Sequence, residues 1–494
     1  MPADIPQSVK SSEIKGQYLS AKPMADWLCS IAGLSSGLLL AISVIHPVLA
    51  LLQLVALIPV FYLGASKRAG SRGLIVAGLH MSIAYILPQL FVLRLPVLLV
   101  APLMSLLAIL LIAAVWAFGK LLAGPGISGA FAVGALLVVI DWVICTAIPV
   151  FGTAPSLVRP WSRYPVLIQF VSLTGLTGID FALGSLQALI VKLIVNPPLR
   201  RGALVSIVTV VLVILATNAV IRLPKPIGGL KVAAVGWTNA DVARYGNIYS
   251  ARGFKTLLGE PIINAAENGA CFIACPETVL WLSDTSRKRP LENLAQLARS
   301  RNIYLAIGYV DKKTNENRMM FIGPSGQVIS EYTKTYLAPF ERFRKGDGRL
   351  AQIDVDGVAV GAMICADDTF TRLPREYSRK GVSLVAVLNN DWFEIKDNHL
   401  YISIHRAIES RYAVVRATTN GISAIVAPDG KILAKKDHFK EGPGFIIAEA
   451  PLYSSSTLFG YLGHWPVVPS IVFLAIYTGF RFKACRVKPR LPDF

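Results

Sequence analysis

Apolar residues fill the first half of the chain almost without interruption; from Gly229 they give way to short runs separated by polar segments. Before residue 225, the windows near 25–43, 46–65, 73–94, 97–119, 129–150, 165–194 and 203–222 are each long enough to cross a bilayer, and another lies near 466–482. About 30 Å of hydrocarbon takes roughly 20 residues of helix. The window 165–194 is long and interrupted by glycine, which predicts a tilt or kink. Residues 1–22 are polar and carry no apolar stretch with a cleavage site, so no removable signal peptide is expected.

Beyond Gly229 the pattern changes to strands and amphipathic helices. GLKVAAVGW (229–237) reads as a strand and GFKTLLGEPIINAAENG (253–269) as a helix. ACFIACPE (270–277) reads as a strand ending at Glu277, and a helix is predicted near 290–300. NIYLAIGYV (302–310), then MMFIG and QVISEYTK around Pro324-Ser325-Gly326, predict further strands. VAVGAMIC ends at Cys365, SLVAVLNND follows, and a helix is expected over about 399–413. GISAIVAPDGKILAK predicts a hairpin about Pro428-Asp429-Gly430, and GFIIAEA a last strand. Strands alternating with helices imply an α/β layered domain. The predicted organisation is a segment 1–24, a seven-span α-helical transmembrane bundle 25–225, an α/β domain 229–452, and an outer linker, eighth span and basic tail over 453–494.

Composition sharpens this division. The chain is 54% hydrophobic and 16% charged, where a soluble domain carries about a quarter charged residues. The basic stretches KRAGSR (67–72), NPPLRRG (196–202) and RFKACRVKPR (481–490), with Lys120, fall on one side if the chain alternates through eight spans. The positive-inside rule then puts both termini in the cytoplasm and the α/β domain on the outer face of the membrane. Much of the formal charge of +19 sits in these flanks and in scattered residues such as Arg342, Arg344, Lys345 and Arg349. With no recognition helix or zinc finger, a membrane explains it better than nucleic acid. The six cysteines show neither zinc spacing nor a disulfide framework. No metal or cofactor is expected.

Only Cys365 has polar company suited to chemistry. Glu277, Lys334 and Cys365 each follow an apolar strand or close a hairpin, positions that converge at one edge of a sheet. A thiol attacks as thiolate and so needs a base or a nearby cation. Glu277 suits the base, and Lys334 suits stabilisation of the thiolate and then of an oxyanion, with the Ala366 N–H as a second donor. Glu341, seven residues after Lys334, is placed to orient the lysine.

PE at 276–277, YxKxxLxPFE in Tyr332–Glu341 and the IC strand end resemble the nitrilase (carbon-nitrogen hydrolase) superfamily, and more closely its membrane branch, the apolipoprotein N-acyltransferases. NNDWF (389–393), His399, RAIESRYAVVRATTNGISAIVAPDG (406–430), YLGHWP (461–466), Asp141-Trp142 and LIQFVSLTGLTGIDF (167–181) are similar to that family as well. The resemblance implies an αββα sandwich, a Glu277–Lys334–Cys365 triad, and Asn317 near the site. It also implies a cysteine thioester that carries a fatty acyl chain from a phospholipid, typically phosphatidylethanolamine, to the N-terminal amine of a diacylglyceryl-cysteine lipoprotein. Cys365-Ala366-Asp367 departs from the family's usual Cys-Tyr-Glu, and a divergent paralogue, such as those accompanying conjugative plasmids, is a further reading of the resemblance. The alternatives are a membrane-anchored amidase and a non-catalytic component of a conjugation or secretion apparatus.

Three groups carry competing readings. His399 and His405 suggest a papain-like Cys–His pair, against an ordinary packed or hydrogen-bonded role. Asp141 and Asp180, acids inside apolar spans, suit helix packing near an interface. Trp281, Trp392 and Trp465 suit either the headgroup layer or the core.

Overall fold

The computed structural model describes residues 24–93, 97–124, 126–147, 150–221, 225–283, 288–339, 341–453 and 456–486. Residues 1–23, Phe340 and the end of the basic tail lie outside these. Among the described residues, seven helical segments are long and apolar enough to cross a membrane: Asp26–Ile45, Pro47–Ser66, Gly70–Val92, Val100–Leu122, Ser128–Ala147, Thr177–Val195 and Pro197–Val220. The last helix is Val467–Arg486, apolar over Val467–Arg481.

The window 165–194 is not one helix. Short turns at Arg159–Arg163 and Pro165–Leu167 and a single helical turn Val171–Thr174 come first, and the span proper begins at Thr177. Gly175 marks the break: its φ is +65°, and a Cβ there would lie 2.4 Å from the Phe459 ring. Residues 151–174 thus form a collar between bundle and domain. Ser162 Oγ donates to the Tyr401 carbonyl at 2.9 Å, Gln169 Nε2 to the Asp429 carbonyl at 2.8 Å, and Arg411 Nη1 to Gln169 Oε1 at 2.6 Å.

The basic residues gather at the far end of the bundle. Lys120 Nζ donates to Ser71 Oγ at 2.8 Å, and Arg481 donates to the Lys120 carbonyl. Lys192 Nζ caps the carbonyls of Leu122 and Gly124 at 2.7 and 2.6 Å. One pole of the bundle therefore carries basic side chains and the other meets the domain.

The domain's strands are β1 (Gly228–Gly236), β2 (Phe272–Ala274), β3 (Leu280–Leu282), β4 (Tyr304–Asp311), β5 (Glu316–Ile322), β6 (Val328–Thr333), β7 (Ala351–Val355), β8 (Val358–Ile364), β9 (Leu384–Asn390), β10 (Ala413–Thr419), β11 (Ile422–Val426), β12 (Ile432–Asp437) and β13 (Gly444–Leu452). They make two sheets, ordered β13-β1-β2-β4-β5-β6 with β3 beside β4, and β12-β11-β10-β9-β8-β7. β1, β2 and β4 run parallel, as do β8, β9 and β10.

Side-chain alternation dictates the layers. In β1, Val232 and Ala234 join the core that contains Ile364, Leu388 and Val414 of the second sheet. Their neighbours Ala233 and Val235 pack instead with Leu258, Ile262 and Leu294 of the covering helices. The result is the expected αββα sandwich.

Local boundaries differ from expectation in three places. The strand expected to reach Glu277 ends at Ala274, because Pro276 interrupts the ladder. Cys271 and Cys275 consequently flank β2 rather than both lying on it, and both are free. The helix expected near 399–413 spans Lys396–Ser410 and stops where Arg411 turns left-handed at φ +57°.

Candidate active site

Glu277, Lys334 and Cys365 leave their sheets at carboxyl ends of strands. Glu277 follows β2, and its N–H reaches the Asn389 carbonyl across the sandwich at 3.4 Å. Gly308 on β4 lets this turn approach, since a Cβ there would lie 2.7 Å from the Glu277 Cα. Lys334 extends β6 by one rung, its N–H donating to the Asn317 carbonyl at 2.8 Å. Cys365 ends β8 with φ +46°, a left-handed conformation costly for a residue with a Cβ. That turn lifts the thiol out of the strand, and the tight helical turn Cys365–Thr369 follows.

The polar side chains converge. Lys334 Nζ donates to Glu277 Oε1 at 2.8 Å and to Glu341 Oε1 at 2.7 Å. Asn317 Nδ2 donates to the same Glu277 oxygen at 2.7 Å. Glu341 is held in turn by the Ala338 N–H at 3.0 Å. Lys334 is fully buried and Glu277 is 3% exposed, so this pair interacts away from water.

Asp367 plays a different part from the other acids. It accepts from Tyr332 OH at 2.7 Å and from the N–H groups of Ile364, Thr335 and Tyr336 at 3.0, 3.1 and 2.8 Å. These bonds fasten the turn after Cys365 to the loop that carries Lys334. Tyr336 and Phe370 stack beside them with ring centroids 4.0 Å apart. Ala366 sits between Cys365 and this clamp, and its carbonyl accepts from Thr369 Oγ1 at 2.8 Å.

Electrostatics favour a protonated resting thiol. Burial pushes Cys365 well above the usual thiol range and the Glu277 carboxylate adds to this, while Lys334 opposes it. Burial alone would lower the Lys334 ammonium, but the charges of Glu277, Cys365 and Glu341 reverse the shift and hold the proton on. Glu341 is raised by burial, tempered by Lys334. Asp367 is pushed up to about 7 by burial, against its hydrogen bonds from Tyr336, Tyr332 and Ile364.

A second polar group lies on the other side of the cysteine. His399 Nδ1 is 2.7 Å from Asp391 Oδ1, and Nε2 is 3.1 Å from Asp368 Oδ1. Arg416 Nη2 donates to Asp391 Oδ2 at 2.6 Å, and Ser403 Oγ to Asp368 Oδ2 at 2.7 Å. Cys365, Asp391 and His399 place potential ligand atoms within 4.8 Å of one another. The donor set suits a metal in composition, but both ring nitrogens face carboxylates, so the imidazole donates on both sides and has no lone pair to offer. For the same reason His399 is no base for the thiol. His405 is further removed from that role: its Nε2 meets the Arg159 carbonyl at 2.8 Å. The residue pattern did not single out Asp391, Asp368 and Arg416; the signal was an arginine at the centre of the apolar strand AVVRATT.

The collar reaches the turn Cys365–Thr369 directly. Thr153 N–H and Oγ1 donate to the Thr369 carbonyl at 2.8 and 2.9 Å. Beside it an apolar groove opens, lined by Leu103, Met104, Leu107, Ile144, Phe151 and Pro155. Asp141 and Asp180 share a hydrogen bond within the bundle, and Asp141 also contacts Ser156 and the Leu157 backbone, consistent with helix positioning. Trp281, Trp392 and Trp465 are all partly exposed, at 45, 42 and 38%, rather than core residues.

Residues 231–456 match the carbon-nitrogen hydrolase family. The chain is 34% identical over 115 residues to apolipoprotein N-acyltransferase 1 of Treponema pallidum, covering 22% of this chain and 21% of that protein. It is 24% identical over 320 residues to the apolipoprotein N-acyltransferase of Geobacter metallireducens, covering 56% and 60% of the two chains. With that of Rickettsia prowazekii it shares 23% over 380 residues, covering 69% and 74%. The matched regions thus span between about a fifth and three quarters of these relatives. Among solved structures, an amidase from Nesterenkonia sp. is 19% identical, with a TM-score of 0.39 over 45% of this chain and 91% of the amidase.

Proposed function

We propose that this chain, whose residues 231–456 match the carbon-nitrogen hydrolase family and which is similar to apolipoprotein N-acyltransferases over much of its length, is a multi-pass membrane enzyme that moves a fatty acyl chain through a thioester on Cys365. The observation that carries the reading is the juxtaposition of Glu277 and Lys334, paired at 2.8 Å out of water, with a cysteine held at φ +46° above an apolar bundle.

The residues divide the labour as follows. Glu277 takes the Cys365 proton as sulfur attacks the ester carbonyl of a phospholipid. The negative oxygen that forms is met by the Lys334 ammonium and the N–H groups of the turn after Cys365. Collapse breaks the acyl C–O bond, and Glu277 returns the proton to the departing lysophospholipid oxygen. In the second half an amine attacks the thioester, Glu277 takes the amine proton, and the thiolate leaves and is reprotonated. Glu341 and Asn317 hold Lys334 and Glu277 in register, while Asp367 holds the two loops together.

The acceptor in this reading is the N-terminal amine of a diacylglyceryl-cysteine lipoprotein, and the donor is phosphatidylethanolamine. The apolar groove beside Thr153 suits an acyl chain arriving from the bilayer. The clustering of Lys120, Lys192 and Arg481 at the opposite pole supports a periplasmic domain on the inner membrane, by the positive-inside rule. Purified enzyme given labelled phosphatidylethanolamine should gain a fatty-acyl mass on Cys365, lost on Cys365→Ala, and pass it to a diacylated lipopeptide. Label appearing only as free fatty acid would instead indicate an amidase-like hydrolase, and a Cys365→Ala variant with full transfer would remove the cysteine from the chemistry.

A further inference from the structure

Asp391, His399, Asp368 and Arg416 form a closed set for which the thioester reaction, as drawn, has no use. All four are buried, with side-chain exposures of 0, 7, 0 and 0%. Charged groups in such surroundings are costly unless fully paired. Here each carboxylate oxygen has a donor: Asp391 takes His399 and Arg416, and Asp368 takes His399 and Ser403. Ser403 itself accepts from Arg416 Nη1 at 3.1 Å. The ring is closed, and with His399 protonated its two acids and two cations cancel.

The set also grips the nucleophile. Asp368 belongs to the turn Cys365–Thr369, and its carbonyl accepts from Arg406 Nε at 2.7 Å. The groups facing His399 come from four separate segments: Asp391 beyond β9, Asp368 from the turn, Arg416 from β10, and Cys365 just after β8. Asp391, within 4.8 Å of the sulfur, would repel a thiolate if left uncompensated.

We propose that His399 is a positioning residue for the nucleophile: its imidazolium, bridging Asp391 and Asp368, fixes the turn after Cys365 and cancels carboxylate charge beside the sulfur. This rests on Cys365 being the acylated residue. Loss of the imidazolium leaves a net negative charge next to the thiol, so thiolate becomes harder to form while substrate contacts are untouched.

The test compares full-length wild type, His399→Gln and the charge-balanced double variant His399→Gln/Asp391→Asn in detergent. Two quantities are read: the rate of Cys365 thioester formation from phosphatidylethanolamine, and the pH profile of Cys365 alkylation by iodoacetamide. The single variant should form thioester about 10- to 100-fold more slowly at similar donor KM, with its alkylation profile displaced to higher pH. The double variant should recover most of the alkylation profile, because its remaining pair, Asp368 and Arg416, is neutral. A single variant matching wild type in both readouts overturns the proposal. So does a double variant as displaced as the single one, which would make His399 a packing residue only. If wild type itself forms no thioester on Cys365, the acyl-transfer reading fails instead, and the alkylation profiles still decide whether His399 controls the thiol.

Discussion

Two charged clusters flank the same sulfur and are built on opposite principles. On the first sheet, Glu277, Lys334 and Glu341 set two carboxylates against one ammonium, Glu341 is 23% exposed, and Asn317 Oδ1 has no hydrogen-bond partner. On the second sheet, Asp391, Asp368, His399 and Arg416 balance, and every carboxylate oxygen is occupied. A cluster with surplus carboxylate can accept and release a proton without losing its fold. A saturated one can do neither cheaply, so it serves as a frame. The difference teaches that burial and proximity alone do not mark a catalytic acid or histidine; spare proton capacity does.

The strongest way to break this comparison is to remove the carboxylate proposed as the base. Glu277→Gln keeps the shape and leaves Lys334 its 2.7 Å partner Glu341, so the protein should fold. Thioester formation should fall by about 10³- to 10⁴-fold, read by single-turnover mass spectrometry. If Glu277→Gln acylates at near the wild-type rate, the first cluster is a frame as well.

How far this contrast was legible beforehand depends on distance along the chain. Glu277 and Cys365 each follow an apolar run and Lys334 closes a hairpin, so strand pattern alone brings them to one edge. Lys334 and Glu341 are seven apart and joined by a local turn, so their bond was legible too. The frame was not: Asp368, Asp391, His399 and Arg416 lie on four different elements, and nothing periodic links them. Only Arg416, buried in a strand otherwise apolar or small, was out of place. The collar was misread for another reason. Ile168, Phe170 and Val171 are buried against the domain, and Phe459 packs at Gly175. Hydropathy cannot distinguish residues apolar because they face lipid from residues apolar because a second domain covers them.

The second cluster yields to pH. Burial and Arg416 would each lower His399, but Asp391 and Asp368 raise it to about 9 in the folded protein, against an ordinary 6.5. The sign follows from which state binds the proton more tightly, here the folded one. The stabilisation is complete below about pH 6.5 and is lost as pH rises through about 9, a change of about 3 kcal/mol. Thermal melting in detergent should show wild type losing stability across that window relative to His399→Gln. Asp367, also raised by burial, is present in both proteins and cancels in the difference. Parallel melting curves from pH 6.5 to 9 would mean that His399 is neutral and the frame is not balanced.

Glu341 tests whether the surplus carboxylate matters. Glu341→Gln leaves Lys334 with Glu277 alone and makes the first cluster neutral, like the second. Lys334 should then be drawn wholly to Glu277, and thioester formation should slow by roughly tenfold to thirtyfold, with donor KM little changed. A loss as large as that of Glu277→Gln would make the two glutamates one functional unit rather than a base and its support.

Asn317 carries the smallest effect and separates support from chemistry most cleanly. Its amide donates 2.7 Å to the Glu277 oxygen that also takes Lys334, while its carbonyl oxygen has no hydrogen-bond partner among the described residues. Asn317→Ala removes one donor to a buried carboxylate that keeps its ammonium, so Glu277 should become less well held. A net hydrogen bond to a charged group contributes about 1.5–3 kcal/mol; part of that is regained by relaxation around Lys334, so about a tenfold loss in kcat is expected. If the free carbonyl oxygen instead accepts a hydrogen bond from the incoming amine, the loss should fall mainly on transfer to the lipopeptide and leave thioester formation near normal. Measuring the two half-reactions separately in Asn317→Ala therefore tells whether the gap in the first cluster is incidental or is where the acceptor binds.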